Sequence, residues 1–229
     1  MISVIIPTLN SAHVLGPTLA ALVPAVVDGV VRQVIVADGG SSDATLDIAD
    51  AAGAEIVQAE KGRGVQLATG AQKARSPWLL FLHSDTVLEP GWHHEASDFM
   101  ERVDIGRHPT AAAAFRFTLD DTGIAPRLLE AGVSLRCGLL RLPYGDQGLL
   151  IPARLYNEIG GFRPLPLMED VDLVRRLGRR RLVMLRSRAI TSAARFKESG
   201  YSLRVLRNLS CLTLYYLRVS PTTIARLYG

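Results

Sequence analysis

Short blocks of uninterrupted apolar residues, each broken off by a proline, a glycine or a polar residue, mark the first third of the chain. "SVIIP" (3–7), "QVIVAD" (33–38), "AEIVQ" (54–58) and "WLLFL" (78–82) read as strands. Between them, residues 12–23, a stretch ending near Ala52 and "RGVQLATGAQKA" (63–74) read as helices. Strands that are continuously apolar are buried on both faces, and their alternation with helices predicts a parallel sheet covered on both sides. Four such units carry the chain to Asp85.

Beyond Asp85 the pattern loosens. "AAAAFRFTL" (111–119) reads as a strand, although its alanine run on its own also suits a helix. "PRLLEAGVSLRCGLL" (126–140) reads as a helix and "GDQGLLI" (145–151) as a turn into a short strand. "ARLYNEIGGF" (153–162) is a helix closed by glycine. "EDVDLVRRLGR" (169–179) is another, with acids in its first turn where the helix dipole favours them. "YSLRVLRNLSCLTLYYLRV" (201–219) is apolar at helical spacing, broken by Arg204, Arg207 and Arg218. No internal repeat or low-complexity linker divides the chain.

At 229 residues the chain is long for one small domain and short for two, which predicts one domain with an appendage. Hydrophobic residues make up 48% of it, enough for a sizeable core. No charge-free apolar run reaches the roughly 18 residues of a membrane span. The opening "MISVIIPTLNSAHVLG" reads as a first strand, not a signal peptide. Two cysteines, Cys137 and Cys211, suit a reducing compartment, so the expected location is the cytoplasm.

Charge changes the picture. Residues 173–229 hold 13 of the 26 Lys and Arg against one acid, Glu198, a net +12, while residues 1–172 hold 13 against 21 acids, a net −8. The asymmetry points to an anionic partner, such as a membrane surface or a phosphorylated ligand, or to a merely solvated basic face. Nucleic acid is disfavoured, because no aromatic stacking platform accompanies the arginines.

In an open parallel sheet ligands bind outside the carboxyl ends of the strands. Here the strands end in "PTLNS", Asp38, "AEKGRG" and His83-Ser84-Asp85. Asp38 at its strand tip suits hydrogen bonds from a ribose or base, with Gly39-Gly40 permitting a close approach. Asp43 reads more simply as a helix cap. "KGRGVQ" (61–66) suits an anionic group or a plain helix start. It is neither a dinucleotide fingerprint nor a phosphate loop. His83 and Asp85, two residues apart, fall on one side of an extended continuation of their strand. Together they suit a divalent cation with positions left for a diphosphate. The other reading, equally open, has His83 packing and Asp85 turning the chain. Glu169-Asp170 could supply a general base, although from the pair alone helix capping is the stronger reading.

Taken in order, "SVIIPTLN", "VIVADGGSSDAT", "GRGVQLATGA", "LLFLHSDT", "YGDQGLLIPARLYNEIGGF" and "LPLMEDVDLVRRL" resemble the GT-A family 2 glycosyltransferases. The likeness is greatest to a compact bacterial branch associated with radical-SAM and selenium-domain proteins, and the tail extends it over nearly the whole chain. The resemblance implies a GT-A fold: α/β, a mainly parallel central sheet flanked by helices, with a C-terminal helical appendage. Residues 1–195 would be the transferase domain, with a nucleotide-binding half (1–90) and an acceptor half (91–195), and residues 196–229 a basic amphipathic tail.

The resemblance also implies a nucleoside-diphosphate sugar, UDP- or GDP-linked, as donor. Pro7, Thr8, Asn10, Asp38, Gly39, Gly62, Arg63, Gln66 and Ser84 would surround its nucleotide. A divalent metal, Mg²⁺ or Mn²⁺, would sit on the diphosphate at Asp85 with His83. Asp170 would deprotonate the acceptor hydroxyl, with Glu169 beside it, and transfer would invert the anomeric carbon. Asp146 and Gln147 would lie on the acceptor side. His83 stands where the family's D-x-D motif begins with an acid, and Asn10-Ser11 where many relatives carry one. The Q-x-x-R-W segment of processive synthases does not occur, which implies transfer of a single sugar. The acceptor stays open among lipid, small metabolite and peptide.

Two other functions compete. A non-catalytic nucleotide-binding or membrane-recruited module could keep the same fold. A sugar nucleotidyltransferase would want a glycine-rich loop after the first strand, which "PTLNSAHVLG" lacks. The tail could pack on the core, form a homodimer face, or lie peripherally on the inner face of a membrane with its arginines at lipid phosphates. Packing or dimerisation is the commoner fate of such helices.

Overall fold

The first four apolar blocks are strands whose side chains feed two cores at once. In the computed structural model, which describes residues 1–107 and 109–228, β1 spans Ile2–Thr8, β2 Val31–Asp38, β3 Glu55–Gln58 and β4 Trp78–Phe81. Ile2, Val4 and Ile6 join Trp78 and Leu80 in one core, while Ile5 joins Leu79 and Phe81 in the other. Every residue of β1 is buried, so the run shows no polar alternation. Between the strands lie α1 (Ala12–Ala20), α2 (Val23–Val27), α3 (Thr45–Ala51) and α4 (Arg63–Lys73). The single helix expected over 12–23 is two, because Pro24 in the first turn of α2 starts a new one.

The later strands are β5 (Thr86–Leu88), β6 (Ala112–Leu119), β7 (Leu149–Pro152) and β8 (Leu182–Thr191), and the sheet runs β3-β2-β1-β4-β7-β6-β8-β5. From β3 to β4 all pairings are parallel. Past β4 the sheet is mixed: β7 runs against β4 and β6, β8 lies parallel to β6, and β5 runs against β8 at the edge. β1 has β2 on one side and β4 on the other. Strand order therefore reverses at β1, and a crevice opens beyond its carboxyl end.

The second half adds α5 (Trp92–Asp104), α6 (Ile124–Leu140), α7 (Ala153–Glu158) and α8 (Glu169–Leu177). Neither α5 nor β8 is anticipated by the sequence reading. α5 buries Trp92, Ala96, Phe99, Met100 and Val103 along one face. Its Glu95 carboxylate accepts hydrogen bonds from the Arg186 and Ser187 backbone N–H groups and the Ser187 hydroxyl, which ties α5 to β8.

The tail is α9 (Ala194–Ser199), α10 (Tyr201–Tyr216) and α11 (Pro221–Tyr228). The boundary expected after residue 195 falls inside α9. Phe196 is buried in a cluster with Phe117, Leu119 and Val133, and Leu212 of α10 belongs to the core that holds Phe81. Among the described residues no helix is long and apolar enough to cross a membrane.

Candidate active site

The loops after β1 and β4 face each other across the crevice. Ser84 donates its hydroxyl to Ser11 Oγ (3.1 Å), and Thr18 of α1 donates to the Ser84 carbonyl (2.8 Å). Between these loops and the start of α4 lies a cavity of about 340 Å³, lined in part by Pro7, Thr8, Gly62, Arg63, Gln66 and Ser84. Lys61 also lines it, beside Arg63. These six residues of the expected nucleotide set therefore come together.

Three others of that set do not line it. Asp38 is fully buried. Its Oδ2 accepts the Gly40 and Ser41 N–H groups at 2.8 Å, and its Oδ1 accepts the Thr8 and Ser41 hydroxyls. Burial works against this carboxylate, but its four donors outweigh that and hold it below the usual 3.8. Asp38 thus presents no free oxygen to a ribose; it fixes the 39–41 turn. Gly39 serves the same packing, since a Cβ there would meet the Gln66 amide at 3.1 Å. Asn10, with φ of 50°, turns its Oδ1 to the Ser42 N–H and so joins the two loops. Asp43 takes the capping role, accepting the N–H groups of Ala12 and Thr45 at the starts of α1 and α3.

The chain after β4 does not continue extended. Ser84 and Asp85 form a turn into β5, so the expected straight run through His83 and Asp85 is corrected; both residues nonetheless face the cleft. They line the nucleotide-side cavity and a smaller adjoining one of about 140 Å³, which Asp146, Glu169 and Asp170 also line. Arg63 and Glu169 likewise line both.

Glu169 and Asp170 open α8 behind Met168, whose φ of 66° is left-handed. Such a conformation costs a non-glycine residue roughly 1–2 kcal/mol, and here it aims the first turn of α8 into the cleft. Glu169 is 2% exposed and pairs with Arg63 at 3.3 Å. Burial, then the neighbouring Asp170 charge, pushes its carboxyl up, while Arg63 pulls it down. Asp170 Oδ2 accepts the Gly145 N–H at 2.7 Å. Gly145 fills the gap between the strand-tip side and the helix side: a Cβ on it would lie 2.5 Å from His83 Nε2 and 3.5 Å from Asp170 Oδ2. α4 approaches as closely, for a Cβ on Gly64 would lie 2.4 Å from the Arg163 carbonyl oxygen.

The two residues expected on the acceptor side part company. Gln147 is buried and held by its own loop: its Oε1 accepts from Arg136 and the Tyr144 N–H, and its Nε2 donates to the Phe115 carbonyl. It braces the loop, and it does not line the small cavity. Asp146 lines the small cavity, with a buried Oδ1 that has no hydrogen-bond partner. Burial above all pushes its carboxyl up to about 6, with Asp170 and Asp85 adding to the rise and Arg136 opposing it.

Four carboxylates, Asp85, Asp146, Glu169 and Asp170, and the His83 imidazole thus surround one small space, and an orphaned carboxylate oxygen among them calls for positive charge. Oxygen and imidazole donors fit Mg²⁺ or Mn²⁺. Among the described residues only Asp28, His93 and His94 bring three metal-capable side chains within 4.8 Å of one another, and Asp28 precedes the amino end of β2, whereas the cleft lies beyond the carboxyl ends of the strands. An ion at His83 and Asp85 would therefore need a ligand to complete its shell. Sequence reasoning misses Tyr144, Arg204 and Asn208, which also line the small cavity. The one available signal is Arg204 and Asn208 at helical spacing i, i+4 within an otherwise apolar helix.

Residues 3–122 match the family model for glycosyl transferase family 2. The chain belongs to that family. Among similar proteins is the PGL/p-HBAD biosynthesis glycosyltransferase of Mycobacterium tuberculosis, 37% identical over 129 residues, 47% of this chain and 43% of that protein. Glucosyl-3-phosphoglycerate synthase of Mycolicibacterium paratuberculosis is 34% identical over 95 residues, 38% of this chain and 29% of that protein. The matches thus span less than half of these relatives' length. Among solved structures, S. aureus TarS 1-349 superposes with a TM-score of 0.65 at 19% identity, over 93% of this chain and 65% of that one. M. tuberculosis glucosyl-3-phosphoglycerate synthase, in complex with Mn²⁺, UDP and glucosyl-3-phosphoglycerate, gives 0.59 at 21% identity, over 91% of this chain and 78% of that one. At these identities the likeness is one of fold, and the fold is GT-A.

Proposed function

We propose that this family 2 chain moves a single sugar from a nucleoside-diphosphate sugar to an acceptor hydroxyl, with inversion and with the help of a divalent cation. The observation that carries the reading is the pair of adjoining cavities at the switch point. One is lined by Thr8, Lys61, Gln66 and Ser84, the other by Asp146 and Asp170, and Arg63, His83, Asp85 and Glu169 line both. The nucleotide lies in the larger cavity, against Thr8, Gln66 and Ser84, with Lys61 and Arg63 beside its diphosphate. Asp85 and His83 would hold the cation, Mg²⁺ or Mn²⁺, which when bound neutralises charge on the departing diphosphate. Arg63 adds to that stabilisation and is itself kept in place by Glu169. Asp170, on the far side of the small cavity, accepts the proton of the attacking hydroxyl. The complex of the M. tuberculosis synthase with Mn²⁺ and UDP supports the same class of donor here.

The test is a thermal-shift series with UDP, GDP, dTDP and CDP, each with and without Mn²⁺. One nucleotide at about 100 times its Kd should raise Tm by roughly 5 °C or more, only with the metal present. Asp85→Ala should abolish that shift. Asp170→Asn should keep it while lowering kcat by about 10²–10⁴-fold. No shift with any nucleotide would sink the donor assignment and leave a non-catalytic module with the GT-A fold.

A further inference from the structure

A third space adjoins the small cavity. Between α6 and α10 runs an apolar groove of about 850 Å³. Leu128, Leu135 and Leu139 of α6 and Leu206 and Leu209 of α10 line it, and each is more than half exposed. A solvated chain rarely leaves so many leucines together without a use for them. The groove does not end blindly. Tyr144, Asp146, Phe196 and Asn208 line both it and the small cavity, so it opens beside the carboxylates.

From this continuity we infer that the acceptor is a lipid, whose hydrocarbon chain lies between α6 and α10 and whose hydroxyl-bearing head enters the small cavity at Asp146 and Asp170. The inference rests on the transferase reading above and names the acceptor class for the same site. A second copy of the chain could cover the outer leucines, but a protein face does not reach through the groove to Asp146. A groove of this size is in the range of small-ligand sites, roughly 300–1,000 Å³. At the head end Arg204 and Asn208 supply polar contacts. Arg204 and Arg207 on α10 belong to the basic tail, which draws the groove toward an anionic lipid surface.

Monomeric octyl, decyl and dodecyl glucosides, below their micelle concentrations, probe the groove by calorimetric titration. Kd should fall about fourfold per methylene, the effect of ~0.8 kcal/mol for each buried CH₂. The double variant Leu135→Glu, Leu209→Glu should lose the chain-length dependence while keeping the wild-type nucleotide and Mn²⁺ thermal shift, which also shows that it folds. Should that variant fail to fold, the wild-type series alone decides. Binding that ignores chain length overturns the inference. A solution dimer, seen by light scattering and split by the double variant, with no chain-length effect, gives the groove to a second copy and also overturns it. Failure of the wild-type nucleotide shift strikes the donor reading instead, and the acceptor assignment falls with it.

Discussion

The carboxylate at Asp38 has four donors and no exposure, and it sets the shape of the loop that closes the crevice. Asp38→Ala should cost about 2–4 kcal/mol, since it strands two backbone N–H groups and two hydroxyls. Its folded pKa lies below the ordinary 3.8. The stability it contributes is therefore complete above 3.8 and lost as pH falls through the lower folded value. Acid unfolding below pH 3.8 should show a slope that Asp38→Asn lacks. Gly145 makes a different kind of demand. Gly145→Ala forces a methyl group onto His83 Nε2 and should weaken metal-dependent nucleotide binding by at least about tenfold, the effect of ~1.4 kcal/mol, with Tm of the free protein changed by only a few degrees. The sequence makes these residues conspicuous without revealing their jobs. A strand-tip aspartate looks the same whether it meets a ribose or its own loop, and Gln147 reads as a hydrogen-bonding side chain with no hint that Phe115 and Tyr144 hold it.

Elements were legible where packing is double-sided. β1 and β4 bury every residue and β2 its last four, so their apolar runs are unbroken and their ends are sharp, while β3 at the sheet edge is only partly buried. β8 hides because it alternates: Leu185, Ser187 and Ala189 are buried while Arg186 and Arg188 are exposed, and in sequence it reads as part of a basic stretch. α5 carries its apolar residues at i, i+4, i+7, i+8 and i+11 from Trp92, a helical spacing interleaved with His93, His94 and acids. Beside the core they share through Trp92, Leu185 and Ala189, these two are joined by the Glu95 side chain. Removing it in Glu95→Ala leaves the Arg186 and Ser187 N–H groups without their carboxylate, and urea unfolding should show a loss of about 2 kcal/mol. Glu95→Gln, which keeps an acceptor, should lose less.

At the scale of the whole molecule, the basic tail is docked and its apolar residues divide into two classes. Leu212 is buried in the core, whereas Leu206 looks into the open groove. Leu212→Ala should therefore cost about 2–3 kcal/mol, and Leu206→Ala should stay within about 0.5 kcal/mol, by denaturant unfolding. Six residues apart, the two lie about 120° apart around one helix, and which of those directions meets the core and which the groove depends on where α6 lies. The same holds for the site as a whole. Its strand-tip half follows from the order of the β-α units, while the small cavity and the groove need β8, α6 and α10 brought together across more than 60 residues of chain.

The cleft is closed by backbone set against backbone and side chain at positions that have no side chain of their own. At Gly64 a single added carbon would strike the Arg163 carbonyl, and at Gly70 it would strike Ile5. A saturation scan of this chain should thus rank some of its least tolerant positions among residues that touch no substrate and move no proton. A map of mutational intolerance would trace how tightly the walls are joined before it traced the chemistry between them.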